Sequence, residues 1–189
     1  MRYLKVLIPV VLIAALGACA KPPQADIDAA KAAVATAAQN ADIVAYAADT
    51  LKTAQDKLSQ MQTELDAKHY DKVKRLAMDA KSAAESAVND AAKGKEKAQA
   101  DATTLIDTLK KALPEAARKV AAAKKIKGLK LDFNAFLKQL SDAKPVLADA
   151  EKDLGDGNFA SALQKAGTIQ AQLADGEKMI ANAVAALKK

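Results

Sequence analysis

From Asp26 onward, apolar side chains recur at alternating intervals of three and four residues. One stretch reads Ile27, Ala30, Val34, Ala37, Ala41, Val44, and a second reads Leu51, Ala54, Leu58, Met61, Leu65. A third runs Tyr70, Val73, Ala77, Ala80, Ala84, Ala87, Ala91. The last and longest runs Phe159, Ala162, Ala166, Ile169, Leu173, Gly176, Ile180, Ala183, Leu187. Alternating threes and fours average about 3.5 residues, the period of a seam between helices that pack with a left-handed twist. The pattern predicts an all-α protein of elongated antiparallel helical hairpins, or a bundle, with Ala-rich coiled-coil-like seams.

Turn chemistry divides the pattern. Asp66-Ala67-Lys68-His69 separates the second and third stretches, and Gly155-Asp156-Gly157-Asn158 precedes the last. Gly155 suits a helix C-cap and Asn158 an N-cap, Asp132 suits the cap of a helix starting at Phe133, and Gly128 suits the end of the helix before it. Pro114 fits the first residue of a helix, and Pro145 predicts a kink or a fresh helix start within 134–154. These signals predict an N-terminal hairpin region over 26–93, a helical linker region over 94–132 and a C-terminal hairpin over 133–189. Sliding the chain by 89 residues pairs Leu51 with Leu140, Ala54 with Ala143, Leu58 with Leu147, Leu65 with Leu154 and Ala77 with Ala166. Either an internal repeat or the general likeness of any two amphipathic hairpins produces such a match.

Composition supports helices and restrains the core. Ala dominates, aromatic residues make up 3% of the chain, and β-branched residues are few, so strands lack their usual material. Ala seams bury little area per residue, which leaves stability to many turns and to intermittent Leu, Ile, Met and Phe.

The first residues follow a different logic. Arg2 and Lys5 precede an apolar run over 6–16 that is interrupted only by Pro9. Such a run is too short for a bilayer span of about 20 helical residues and fits an export signal. Leu16-Gly17-Ala18-Cys19 resembles the bacterial lipobox: a branched apolar residue, two small residues, then the Cys whose thiol takes a diacylglyceryl group. The resemblance implies a signal peptide over 1–18 and lipidation at Cys19, with the palmitate-type acyl chains that hold such proteins on a membrane. It also implies an outer-membrane address facing the periplasm, since Ala20 rather than Asp follows the Cys. Residues 19–25, with Pro22-Pro23, read as an extended lipidated tether. Cys19 is the single Cys, so no intrachain disulfide forms.

A second resemblance lies in Ala29, Ala30 and Ala33, in Ala45-Tyr46-Ala47, in Leu51, Ala54 and Leu58, and in Tyr70, Leu76-Ala77, Ala80 and Ala84. Residues 27–92 are similar to a family of Ala-rich bacterial lipoprotein domains of unknown function. That family shows Tyr-Ala-Pro before its second helix; here Ala48 stands in place of the Pro. The resemblance implies a helical, envelope-located protein and brings no activity or ligand.

Candidate chemistry is sparse. His69 is the one histidine and falls in a turn, and the signatures of zinc hydrolases, nucleophile elbows and phosphate loops are absent, so neither catalytic residues, a metal nor a cofactor is expected. The run 153–158 has the look of a calcium loop but lacks its ligand spacing and closing Glu. Arg118, Lys119, Lys124, Lys125, Lys127 and Lys130 form the one basic cluster. It reads either as a contact for an anionic surface or as a solvated helix end complementing the helix dipole. Without the signal, 27 basic residues face 23 acidic ones; that mild charge, with no interleaved aromatics, argues against nucleic acid. The C-terminal Lys189 is a candidate for peptidoglycan attachment, though Lys at a helix end is ordinary.

These observations point to a non-enzymatic cell-envelope lipoprotein: a helical spacer, scaffold or accessory subunit, held to a membrane by its N-terminal lipid and facing peptidoglycan or another envelope protein. The alternative is a periplasmic binding module that holds an apolar or anionic envelope ligand between helices. The same seams serve equally between chains, so an oligomer is compatible. Replacing Cys19 by Ser should abolish incorporation of labelled palmitate and release the protein from the membrane pellet; unchanged pelleting would refute the lipid anchor.

Overall fold

The computed structural model describes residues 21–187. The signal 1–18, the Cys19 site and Lys189 lie outside the described residues. Among these there are six helices and no strand: α1 (Gln24–Gln39), α2 (Ala41–Tyr46), α3 (Ala48–Asp66), α4 (Tyr70–Ala123), α5 (Phe133–Gly155) and α6 (Phe159–Ala186). No described helix is long and apolar enough to cross a membrane.

The helices form two units that share α4, one with α1, α2 and α3 and the other with α5 and α6. In the first, α1 and α3 lie against the N-terminal half of α4, around a core that runs from Ile27 to Ala91. In the second, α5 and α6 lie against its C-terminal half, around a core of Ala102, Ile106, Leu109, Leu113, Ala116 and Val120 with their partners. α4 has 54 residues, about 80 Å at 1.5 Å per residue. Cross-links between helices fix their directions. Thr50 Oγ1 donates to Asp90 (2.9 Å) and Lys95 pairs with Asp42 (2.9 Å), so α3 starts beside the middle of α4 and returns to its beginning. α1 therefore runs parallel to α4 and enters from the Tyr70 side. Lys110 meets Glu151 and Lys119 meets Glu177, so α5 is antiparallel and α6 parallel to α4. The far end of the molecule is thus made by the end of α4, residues 124–132, the start of α5 and the end of α6.

This arrangement changes the role of 94–132. That stretch is no linker: up to Ala123 it is the second half of α4, and Ala98, Ala102, Ile106, Leu109, Leu113, Ala116, Val120 and Ala123 are buried along one face. Neither Gly94, where the linker region was expected to begin, nor Pro114, expected to start a helix, interrupts α4. Pro114 lies inside α4 rather than at a helix start, and Pro145 lies inside a continuous α5. Both rings sit at exposed positions, where the lost N–H bond leaves a carbonyl that water reaches. Gly94 answers a close approach: a Cβ there would lie 2.5 Å from the Tyr46 carbonyl oxygen.

A break occurs instead at Asn40, inside what the seam made one stretch. Asn40 is extended, and its side chain accepts from the N–H groups of Asp42 (2.9 Å) and Ile43 (3.3 Å), capping α2. The break shifts the helical phase, so Ile43 becomes buried while the expected Val44 faces solvent. A second break at Ala47 separates α2 from α3 without the Pro.

The 89-residue offset holds in three dimensions. α3 ends with Lys68 in the left-handed region (φ 59), where Lys68 N–H bonds Leu65 O and His69 N–H bonds Glu64 O. α5 ends the same way at Gly157 (φ 80), where Gly157 N–H bonds Leu154 O and Asn158 N–H bonds Asp153 O. The left-handed residue is therefore Gly157; Gly155 remains helical. The run 153–158 is this helix-terminating turn. The first helices of the two units correspond as well, at an offset of 86: Ile27 with Leu113, Ala30 with Ala116, Val34 with Val120 and Ala37 with Ala123, all buried.

Gly94→Ala should lower stability by about 1–3 kcal/mol, because backbone must move. Gly167→Ala should raise it by up to about 1 kcal/mol, since nothing lies within 4 Å of the new Cβ. Thermal melts of the two variants check the pair, and a gain for Gly94→Ala would contradict the close approach.

Candidate functional site

Among the described residues no polar or charged side chain is buried, so each candidate site is a surface feature. Besides the cross-links already described, three places group polar or charged side chains at helix ends. The first is the α3–α4 turn, where His69 Nδ1 lies 2.6 Å and Lys72 Nζ 3.2 Å from the Glu64 carboxylate. The His69 hydrogen bond, with Lys72, holds the Glu64 carboxyl below its ordinary range. His69 serves the turn expected of it and precedes the first residue of α4.

The second place is the junction of the units. The Tyr46 hydroxyl accepts from the backbone N–H of Ala160 (3.3 Å), one of the unpaired donors at the start of α6. Asn158, the residue whose sequence position suits that cap, makes no side-chain cap bond. Nearby, Asp153 at the end of α5 accepts from Ser161 and Lys165 on α6 (2.5 and 2.8 Å). These contacts tie α6 to α5 and to the first unit.

The third place is the far end, and it collects the basic cluster. Arg118 and Lys119 lie on the last turns of α4, while Lys124, Lys125, Lys127 and Lys130 lie on the non-helical connection to α5; all six are exposed. Lys119 is tied to Glu177, whose hydrogen bond and charge raise the Lys119 pKa. No carboxylate among the described residues pairs with the other five. Asp132 caps α5 as expected, accepting from Asn134 N (3.1 Å) and Ala135 N (2.9 Å). Gly128 takes a left-handed turn (φ 85) within the connection, whereas the helix has already ended at Ala123.

Beside these cations runs a groove of about 440 Å³ between the ends of α4 and α6. Ala122, Ala123 and Ala181 form small walls, Ile126, Ile180 and Val184 form large ones, and the Lys119–Glu177 pair edges it. The α6 seam explains the opening. It is buried at Phe159, Ala162, Ala166, Ile169 and Gly176, half-buried at Leu173, Ile180 and Ala183, and 45% exposed at Leu187. The basic cluster was legible in sequence; the groove was not, because it depends on how far each helix runs past its neighbour.

Residues 25–103 match a family described as a domain of unknown function (DUF4398). The match takes in the first unit and continues along α4 towards the second. No curated protein and no solved structure matches the chain.

Asp153 gives a pH test. Its carboxyl is held below the ordinary range by Lys165 and then Ser161. A depressed folded pKa contributes stability that is present above the unfolded pKa and lost as pH falls through the folded one. An NMR titration should place Asp153 below ordinary Asp, and Lys165→Gln should move it upward; an unmoved titration would dissolve the pairing.

Proposed function

We propose that this chain is a non-enzymatic cell-envelope lipoprotein, a tethered helical spacer or scaffold whose service is to hold its far end at a set distance from the membrane. The observation that carries the reading is α4: 54 helical residues shared by two units, with no break at the boundary between them. A pair of units joined by a loop would set no distance. A pair joined through one helix sets a separation of several tens of ångströms. The entry of α1 on the Tyr70 side supports the polarity, because the lipobox-bearing segment precedes it.

Several sequence features fit the same reading. The resemblance of 16–19 to a lipobox supplies the anchor at Cys19, and Ala20 favours the outer membrane, with the helices in the periplasm. Peptidoglycan, with Lys189 as a candidate point of attachment, or another envelope protein is the partner the far end would meet. One specific observation favours the second reading, a binding module: the open apolar groove at that same end.

Photo-crosslinking amino acids at Lys31, on the anchored unit, and at Lys127, at the far end, test the reading in cells. Distinct envelope adducts from the two positions are expected. No adduct from Lys127, together with no envelope defect on deletion, would refute the spacer.

A further inference from the structure

The two units close their ends differently. In the first, Asn40 caps α2, which buries Ile43 and pairs Asp42 with Lys95 of α4. In the second, residues 124–132 take the corresponding place between the first two helices. They form no helix, carry four lysines and leave Ile126 42% exposed beside the groove. The capped helix of one unit is thus replaced in the other by a non-helical connection that carries four lysines and a part-exposed Ile126. Of the large apolar side chains that are exposed, Val44, Met78 and Val88 lie on the first unit and Ile126, Leu137, Met179 and Leu187 on the second. Ile126 and Leu187 stand at its very end.

We propose that this far end docks on a bilayer surface rich in anionic phospholipid, with Ile126 and the groove against the acyl region and Lys124, Lys125, Lys127 and Lys130 at the phosphates. The inference rests on the spacer reading for its orientation and goes beyond it, setting a bilayer at the far end in place of peptidoglycan or another envelope protein. Charge complementarity carries it: clustered lysines beside apolar side chains are the composition by which protein surfaces bind anionic leaflets. Long Lys stems let the charge reach a headgroup while the methylenes lie on apolar surface. The groove offers nothing that reads a peptide sequence. Its charged lining residues, Lys119 and Glu177, satisfy each other, and the remaining walls are aliphatic.

The chain from Ala20 onward keeps every described residue and has no acyl group. Mixed with vesicles of phosphatidylglycerol and phosphatidylcholine, it should sediment with them, but not with pure phosphatidylcholine, and high salt should release it. Lys124→Glu, Lys125→Glu and Lys127→Glu together should weaken partitioning at least about tenfold. Ile126→Ser should weaken it several-fold without loss of helical circular dichroism. Lys31→Glu, Lys74→Glu and Lys93→Glu together, on exposed positions of the first unit, should leave it unchanged.

Equal loss in that control would mean unspecific basicity and overturn the site. So would sedimentation with neutral vesicles, or none with anionic ones. A chain that ignores anionic vesicles yet binds an acidic amphipathic helical peptide would replace the bilayer by a protein partner and likewise overturn it. None of these results touches Cys19 or the length of α4, so the docking surface can fail while the spacer stands.

Discussion

The molecule depends on the burial of small side chains along one face of α4. From Val73 to Ala123 that face carries mostly Ala, with Ile106, Leu109, Leu113 and Val120 at intervals in the second half. Each Ala contributes little buried area, but it lets neighbouring helix axes come close, so contact is extended along many turns instead of concentrated in a few large residues. A seam of this kind has no natural stopping point. It ends where the helix ends, which is why two bundles can be strung on one helix.

Continuity of α4 also explains the irregularities around it. The first unit must finish, and the second begin, without a loop in the central helix, so the breaks fall on the helices beside it. Asn40 and Ala47 interrupt the outer layer where α1 gives way to α3. Gly94 lets Tyr46 pass close to α4 at that level, and the Tyr46 hydroxyl then reaches the first turn of α6. Gly176 plays a related part in the second unit, where a Cβ would fall within the Phe136 ring. The Tyr within Ala45-Tyr46-Ala47 thus has a structural duty: it spans from the first unit to the second.

Much of this was legible in the sequence because helical periodicity is a local property. The seams on α3, α6 and the first half of α4, the hairpin turns at 66–69 and 155–158, and the Asp132 cap appear where the pattern put them. What escaped was non-local. Pro114 and Gly94 have strong local meanings as helix breakers, yet an exposed ring and a neighbour's backbone decide their actual effect. Conversely Asn40-Ala41-Asp42 held a cap signal that the uninterrupted seam from Ile27 to Val44 concealed. The basic cluster could be counted in the sequence, but its position opposite the chain's entry required the directions of α4, α5 and α6.

The duplicated plan gives the unmatched end its significance. Where two units share turn geometry, seam positions and helix order, a difference between them marks what one unit has that the other was built without. The first unit uses residues 40–47 for a capped helix that buries Ile43 while Val44 faces solvent. The second places lysines in the corresponding connection and lets its seam run from half-buried at Ile180 and Ala183 to exposed at Leu187. Apolar surface left open beside cations is costly in water, and charge repulsion within 124–130 adds to that cost. A contact that supplies negative charge and an apolar layer together removes both penalties at once, and an anionic bilayer offers the two in the right order.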